Sequence, residues 1–148
     1  MSRRCTKPFY STALGLSAPL IVLGLNQLLM LCYGTQFVST QPVDKLFHVV
    51  GGASIAISAA GLVWHLTKRK LFVIQDSWTC KILIVGSVSF SVVAWEIFEY
   101  IFIFPIYPMT LGYVDTITDM SLGLAGGAVL TVLISSPNYS GDEKPDLI

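Results

Sequence analysis

Four long apolar segments, separated by short polar connectors, dominate the pattern of this sequence. A helix that crosses a membrane needs about 20 consecutive, mostly apolar residues. Four segments approach or exceed that length, roughly over residues 9–33, 43–66, 82–104 and 114–135. The pattern therefore predicts an all-α, polytopic membrane protein in which four transmembrane helices form a bundle.

The connectors contain residues that end helices. The stretch 65–81 is basic and polar, and Pro105 and Pro108 follow the third apolar segment. Proline cannot continue a helix and restricts the residue before it, so we expect the third helix to end there. We predict a single transmembrane domain over residues 1–136, followed by a flexible polar tail over residues 137–148.

The composition supports a membrane location. Apolar residues make up 53% of the 148 residues and charged residues only 12%, whereas an ordinary soluble domain carries about 25% charged residues. So few charges cannot coat a surface that faces water. This argues against a soluble enzyme, a nucleic-acid-binding protein and a disordered chain, and it makes membrane lipids the expected partners.

The basic residues indicate how the helices are oriented. If the amino terminus faces the cytoplasm, every basic residue except Lys45 falls on the cytoplasmic side. These residues are Arg3, Arg4, Lys7, Lys68, Arg69, Lys70, Lys81 and Lys144. Because cytoplasmic loops carry an excess of Lys and Arg, we predict a protein of the cell (inner, cytoplasmic) membrane with both termini in the cytoplasm.

Small residues recur on the second and fourth predicted helices. They are Gly51, Gly52, Ala53, Ala56, Ala60, Gly123, Gly126 and Gly127. The Gly123-x-x-x-Gly127 spacing permits close helix approach. We interpret it as packing within the bundle rather than as a dimerisation motif.

Acidic residues and one histidine cluster in three pairs near helix ends. The pairs are Asp44 with His48, Glu96 with Glu99, and Asp115 with Asp119. Spacings of three or four residues place both members of a pair on one helix face. In the predicted topology all three helix ends lie at the outer face. His48 and Asp119 would lie roughly 6 Å inside their helices, and Glu99 and Glu96 roughly 7 to 12 Å from the end of theirs. All three pairs can therefore meet in one shared polar site just below that surface.

The charge of this site has to be balanced. Five carboxylates do not stay ionised together in a poorly solvated bundle, because like charges repel and desolvation disfavours the charged form. Lys45 is the nearby cation, but it is rotated about 100° from Asp44 on a helix. Protons, a bound cation or a water-filled vestibule are the remaining ways to balance the charge. Carboxylates with an imidazole suit a divalent metal such as Mg, Mn, Fe or Zn. The predicted ligands are Asp44, His48, Glu96, Glu99, Asp115 and Asp119.

Simpler roles exist for some of these residues. Asp44 and Asp115 can act as helix caps or interact favourably with a helix dipole. A single histidine near a helix start is more often structural than a ligand. Glu96 and Glu99 are harder to explain in this way, because they lie at the helix end where negative charge is unfavourable. An ionisable group inside a membrane segment is by default a candidate functional residue.

Three motifs carry a family resemblance: Val43-Asp44-Lys45-Leu46-Phe47-His48, then Ala94-Trp95-Glu96-Ile97-Phe98-Glu99, then Asp115-Thr116-Ile117-Thr118-Asp119 with Gly123. In their order and spacing they resemble the small multi-pass bacterial membrane proteins of the YjdF-like and VanZ-like groups, and the YjdF-like pattern more closely. The resemblance covers residues 43–132. It implies a polytopic membrane protein whose signature is this polar cluster, and it implies no activity.

Three functions are compatible with these features. The first is a metal-binding protein that acts on a lipid or envelope substrate at the outer face, with the metal as Lewis acid or activator of water. The second is an ion- or proton-handling transporter or accessory subunit. The third is a structural partner in a homo-oligomer or a larger membrane complex. The sequence leaves open whether the protein is an enzyme.

Overall fold

A computed structural model describes residues 12–34, 41–74, 76–103 and 112–134 of the chain. These residues form helices and contain no strand. The helices are α1 (Thr12–Tyr33), α2 (Gln41–Lys68), α3 (Ser77–Phe98), which continues as a π-helical turn (Glu99–Ile103), and α4 (Tyr113–Ile134). By length and composition each of the four can cross a membrane. The prediction of an all-α protein with four spanning helices is confirmed.

Helix α3 begins earlier than predicted, at Ser77 rather than near residue 82. The Asp76 carboxylate accepts hydrogen bonds from the Thr79 hydroxyl at 2.7 Å and from the Thr79 backbone N–H at 2.9 Å. These bonds cap the helix and hold the pKa of Asp76 below its usual value. Lys81 therefore lies inside the helix, with its ammonium over the Trp78 ring. The predicted connector was too long because Lys81 was assigned to it as a polar residue. A lysine can lie inside a membrane helix near its end, since its long stem lets the ammonium reach the polar region.

The other predicted bounds differ less. Helix α2 extends to Lys68, beyond the predicted end near residue 66. The prolines at 105 and 108 and the predicted flexible tail over residues 137–148 lie outside the described residues.

Helix α2 is the centre of the bundle. It packs against α1, α3 and α4, most extensively against α4, and α3 also packs against α4. Within the described residues α1 contacts no helix other than α2. The buried core consists mainly of small and β-branched side chains, which include Ala56, Ala59, Ala60, Ile84, Val88 and Val92. The bundle therefore has a compact three-helix core of α2, α3 and α4, with α1 against one side of α2.

Two glycines bring α2 and α4 into backbone contact. A Cβ atom placed on Gly52 would overlap the backbone carbonyl of Gly123, and one placed on Gly126 would overlap the backbone of Val49. The helices can pack this closely only because these positions lack side chains. His48 precedes Gly52 by four residues, and Asp119 precedes Gly123 by four residues. The glycine contact therefore places these two polar side chains on facing surfaces one turn away.

The orientation of the bundle can be tested with topology reporters. Lys68, Arg69 and Lys70 lie at the end of the bundle opposite Lys45. The positive-inside rule then predicts that a reporter inserted at Gln41 is external and that one inserted at Arg69 is cytoplasmic. Alkaline phosphatase and fluorescent protein fusions at both sites measure this directly. The reverse pattern would contradict the outer location of the acidic residues.

Candidate functional site

Three helices bring the six predicted residues to one end of the bundle. Asp44 and His48 lie at the start of α2, and Asp115 and Asp119 lie at the start of α4. Glu96 lies in the last turn of α3, and Glu99 begins the π-helical turn that follows it. Ion pairs and close approaches connect the three pairs. We define these six side chains, together with Lys45, as the acidic cluster.

Lys45 is central to the acidic cluster. Its Nζ atom donates to Asp119 Oδ1 at 2.5 Å, to Asp115 Oδ1 at 2.6 Å and to Asp44 Oδ2 at 3.3 Å. The expectation that Lys45 points away from the site is wrong. Rotation about the α2 axis separates it from Asp44, but that rotation directs it toward α4, and its flexible stem reaches both aspartates there. The role of Lys45 was not predicted, because the spacing of residues within one helix does not show what a neighbouring helix brings close.

His48 lies between two groups of carboxylates. Its Nε2 atom lies 3.7 Å from Asp44 Oδ1 and 3.7 Å from Asp119 Oδ1, while its Nδ1 atom lies 3.8 Å from Glu96 Oε1. These distances exceed those of hydrogen bonds, which are about 2.7 to 3.2 Å. Ligands that each lie about 2.1 Å from a shared ion are separated by roughly 3 to 4 Å. The spacing around His48 therefore fits ion pairs, or an ion held between the ligands, and not direct hydrogen bonds.

The structure offers two sets of three ligands for a metal ion. One set is Asp44, His48 and Asp119, and the other is His48, Glu96 and Glu99. Within each set the ligand atoms lie within 4.8 Å of one another. Lys45 already contacts two members of the first set, so its ammonium would repel an ion placed there. The second set has no such cation among the described residues.

Glu96 is the buried carboxylate of the acidic cluster that has an oxygen atom without a hydrogen-bond partner among the described residues. It is only 9% exposed, and its Oε1 atom makes no hydrogen bond within the described residues. A buried carboxylate without a partner is costly. The carbonyl end of α3 makes negative charge there still less favourable. A bound cation or proton would remove this cost.

Glu99 lies where the helix geometry changes. The α-helix ends at Phe98, and the π-helical turn begins at Glu99. Single π-helical turns within or after α-helices are rare and are frequent at functional sites. Glu99 therefore faces the same histidine as Glu96 from a locally widened helix. The sequence indicated the pair by its spacing, but it did not indicate the π-helical turn.

A cavity of about 490 Å³ lies between α1, α2 and α3. Asp44, His48 and Glu99 line it at the acidic cluster, together with Trp95. Its remaining walls are mainly apolar. This volume lies in the range of small-molecule sites, about 300 to 1,000 Å³. The sequence analysis did not predict the cavity, because it depends on how α1 packs beside α2.

Comparison with known proteins identifies the family. No curated protein and no solved structure matches this chain. A family described as "Predicted membrane protein (DUF2238)" matches residues 10–137. This range contains all four described helices and the whole acidic cluster. The chain therefore belongs to the DUF2238 family of predicted membrane proteins.

Proposed function

We propose that this integral membrane protein binds a divalent cation with His48, Glu96 and Glu99 and uses it on a lipid or envelope substrate at the outer face. The observation that carries the proposal is the buried Glu96 Oε1 atom, which has no hydrogen-bond partner within the described residues and faces His48 Nδ1 at 3.8 Å. We further propose that the protein is of the YjdF-like type and resides in the cell inner membrane. The motifs around Asp44, Glu96 and Asp119 support that assignment.

Lys45 supports the location of the ion. Its ammonium already neutralises part of the charge of Asp44, Asp115 and Asp119. The two glutamates have no ammonium of this kind among the described residues. Both lie close to His48, and Glu96 faces its other ring nitrogen, Nδ1. A divalent ion at His48, Glu96 and Glu99 would balance the charge of the two glutamates. It would also fix the orientation of the imidazole between the two carboxylate groups.

The ligand set indicates which metals and which chemistry fit. One imidazole and two carboxylates suit Mn, Fe or Zn. Three protein ligands leave coordination positions open for water or substrate. An ion held in this way can polarise a phosphoryl or carbonyl oxygen, or lower the pKa of a bound water. The cavity reaches Glu99 and His48, so a substrate from the bilayer would have access to the open positions.

Metal content tests this proposal. We expect protein purified without chelator to contain about one divalent metal ion per chain by elemental analysis, and the Glu96→Gln, Glu99→Gln double variant to contain almost none. Neutral amides bind such ions much more weakly than carboxylates do. Asp76→Asn is the matched control, because it makes the same chemical change outside the acidic cluster, at the other end of α3. Equal metal content in the control and the double variant would contradict the proposal.

Ion or proton handling is the second candidate function. The observation that favours it is a series of serines along the cavity, namely Ser54, Ser58, Ser87 and Ser91. Hydroxyl groups can solvate an ion or water inside a membrane protein. Liposomes that contain the purified protein and a pH-sensitive dye would detect such transport. Flux that is lost in Glu99→Gln would favour this function over chemistry on a lipid.

A further inference from the structure

The cavity is long compared with its volume. Its walls extend along α2 from Asp44 to Leu62, a distance of about 27 Å at 1.5 Å per residue. The hydrocarbon core of a bilayer is about 30 Å thick, so the cavity extends through most of it. A volume of about 490 Å³ distributed over this length fits a single extended chain better than a compact ring system.

The cavity has access from the bilayer. Helix α1 contacts α2 and makes no contact with α3 within the described residues, although both α1 and α3 line the cavity. Leu20 and Leu23 of α1 line its apolar part. A ligand with an apolar chain can therefore enter sideways between α1 and α3.

The polar end of the cavity is rich in hydrogen-bond acceptors. The carboxylates of Asp44 and Glu99 line it. The Oδ1 atom of Asn26 is buried there and makes no hydrogen bond within the described residues. Asn26 lies about 10 Å from the end of α1 and His48 about 10 Å from the start of α2, so they share one depth. A ligand that satisfies these groups must bring N–H or O–H donors and positive charge.

Nearby aromatic rings, and the way in which the acidic cluster binds Lys45, indicate which kind of hydrogen-bond donor fits. Phe47 and Trp95 line the same part of the cavity, and aromatic ring faces attract ammonium groups. The acidic cluster already binds one primary ammonium, that of Lys45, through three aspartates. An anionic head without a metal ion fits less well, because the carboxylates of the acidic cluster outnumber its ammonium group.

We propose that the cavity binds an amphiphile with a primary ammonium head and one apolar chain. The head lies between Asp44, Glu99 and Asn26, and the chain follows α2 toward Leu62. This goes beyond the metal site but shares Glu99 with it, so the ammonium head and a divalent ion compete for that carboxylate. Glu96 is a ligand of the metal site alone, because it does not line the cavity. Either a free long-chain amine or an ethanolamine phospholipid can supply this head.

Native mass spectrometry of the full chain with dodecylamine tests the chain part of the proposal. We expect one dodecylamine per chain, bound about tenfold more weakly by Leu23→Trp, which fills the cavity. Leu25→Trp is the matched control, because Leu25 lies on the same helix, is 51% exposed and does not line the cavity. Equal binding by both variants would overturn the location of the chain.

Two further ligands of the same chain length test the head. Dodecyl phosphate carries the opposite charge, and dodecyltrimethylammonium carries the positive charge without N–H donors. We expect each to bind about tenfold more weakly than dodecylamine. Equal affinity for dodecyl phosphate would overturn the recognition of an ammonium. Equal affinity for dodecyltrimethylammonium would overturn the requirement for donors.

Glu96→Gln separates this proposal from the metal site. We expect the variant to lose metal and to bind dodecylamine at least as tightly as the wild-type protein does, because no ion then competes for Glu99. Loss of dodecylamine binding in this variant would overturn the location of the head.

Lipid analysis of the purified protein then distinguishes the two sources of the ammonium head. Ethanolamine phospholipid that is retained by the wild type but not by Leu23→Trp identifies a membrane lipid, and bound amine without phosphorus identifies a free amine.

Discussion

Gly52→Ala is expected to destabilise the protein strongly, whereas Gly51→Ala is expected to leave it at least as stable as the wild type. A Cβ atom on Gly52 would overlap the carbonyl of Gly123, while one on Gly51 would meet no atom within 4 Å in the part of the chain that the structure describes. Overpacking a tight contact costs about 1 to 3 kcal/mol and sometimes more. Here both partners are backbone, so no flexible side chain can move away.

The two glycines form a matched pair because they are adjacent on one helix. Alanine is favoured over glycine in helices by about 1 kcal/mol, and this gain is the same at both positions. The difference between the variants therefore measures the steric contact alone. Unfolding in mixed micelles, followed by circular dichroism, gives the free energy of unfolding. If the two variants have equal stability, α2 and α4 do not pack as described.

Lys45→Met is the second substitution with a large expected effect. Lys45 is 18% exposed in its side chain and contacts Asp44, Asp115 and Asp119. Asp119 is nearly buried, at 4% exposure. Removing one partner from a buried ion pair typically costs about 3 to 5 kcal/mol, because the other charge is left uncompensated. We expect a loss of stability of that order in the same unfolding measurement.

A second substitution shows whether charge is the cause. Lys45→Arg keeps the charge and should retain most of the stability. Adding Asp119→Asn to Lys45→Met removes the uncompensated carboxylate and should recover part of the loss, which a double-mutant cycle quantifies. If Lys45→Met is as stable as wild type, or if Asp119→Asn recovers nothing, the ion pairs are not structural.

The four-helix fold could be predicted from the sequence because lipid imposes a simple rule. Long apolar segments must form helices in order to satisfy their backbone groups, and hydropathy alone located all four. The start of α3 could not be predicted in this way. It depends on a local cap by Asp76 and on a lysine at position 81 that lies inside the helix, and both look polar in a hydropathy pattern.

The acidic cluster was only partly predictable. Spacings of four residues indicated that Asp44 and His48 share one helix face and that Asp115 and Asp119 share another. Spacing within a helix does not show which helix lies opposite. A signal for that was present in the sequence. His48 precedes Gly52, and Asp119 precedes Gly123, by the same four residues, and the two glycines make the backbone contact. That common register would have placed α2 beside α4 and Lys45 between the aspartates.

The location of the cation is tested most directly by electron spin-echo spectroscopy of Mn²⁺ added to the metal-free protein. We expect about one tightly bound Mn²⁺ per chain with nitrogen coupling from a coordinated imidazole. The coupling should disappear in His48→Ala, and tight binding should be lost in Glu96→Gln but kept in Asp76→Asn. Absence of tight Mn²⁺ binding, or bound Mn²⁺ without nitrogen coupling, would contradict a cation site built on His48, Glu96 and Glu99.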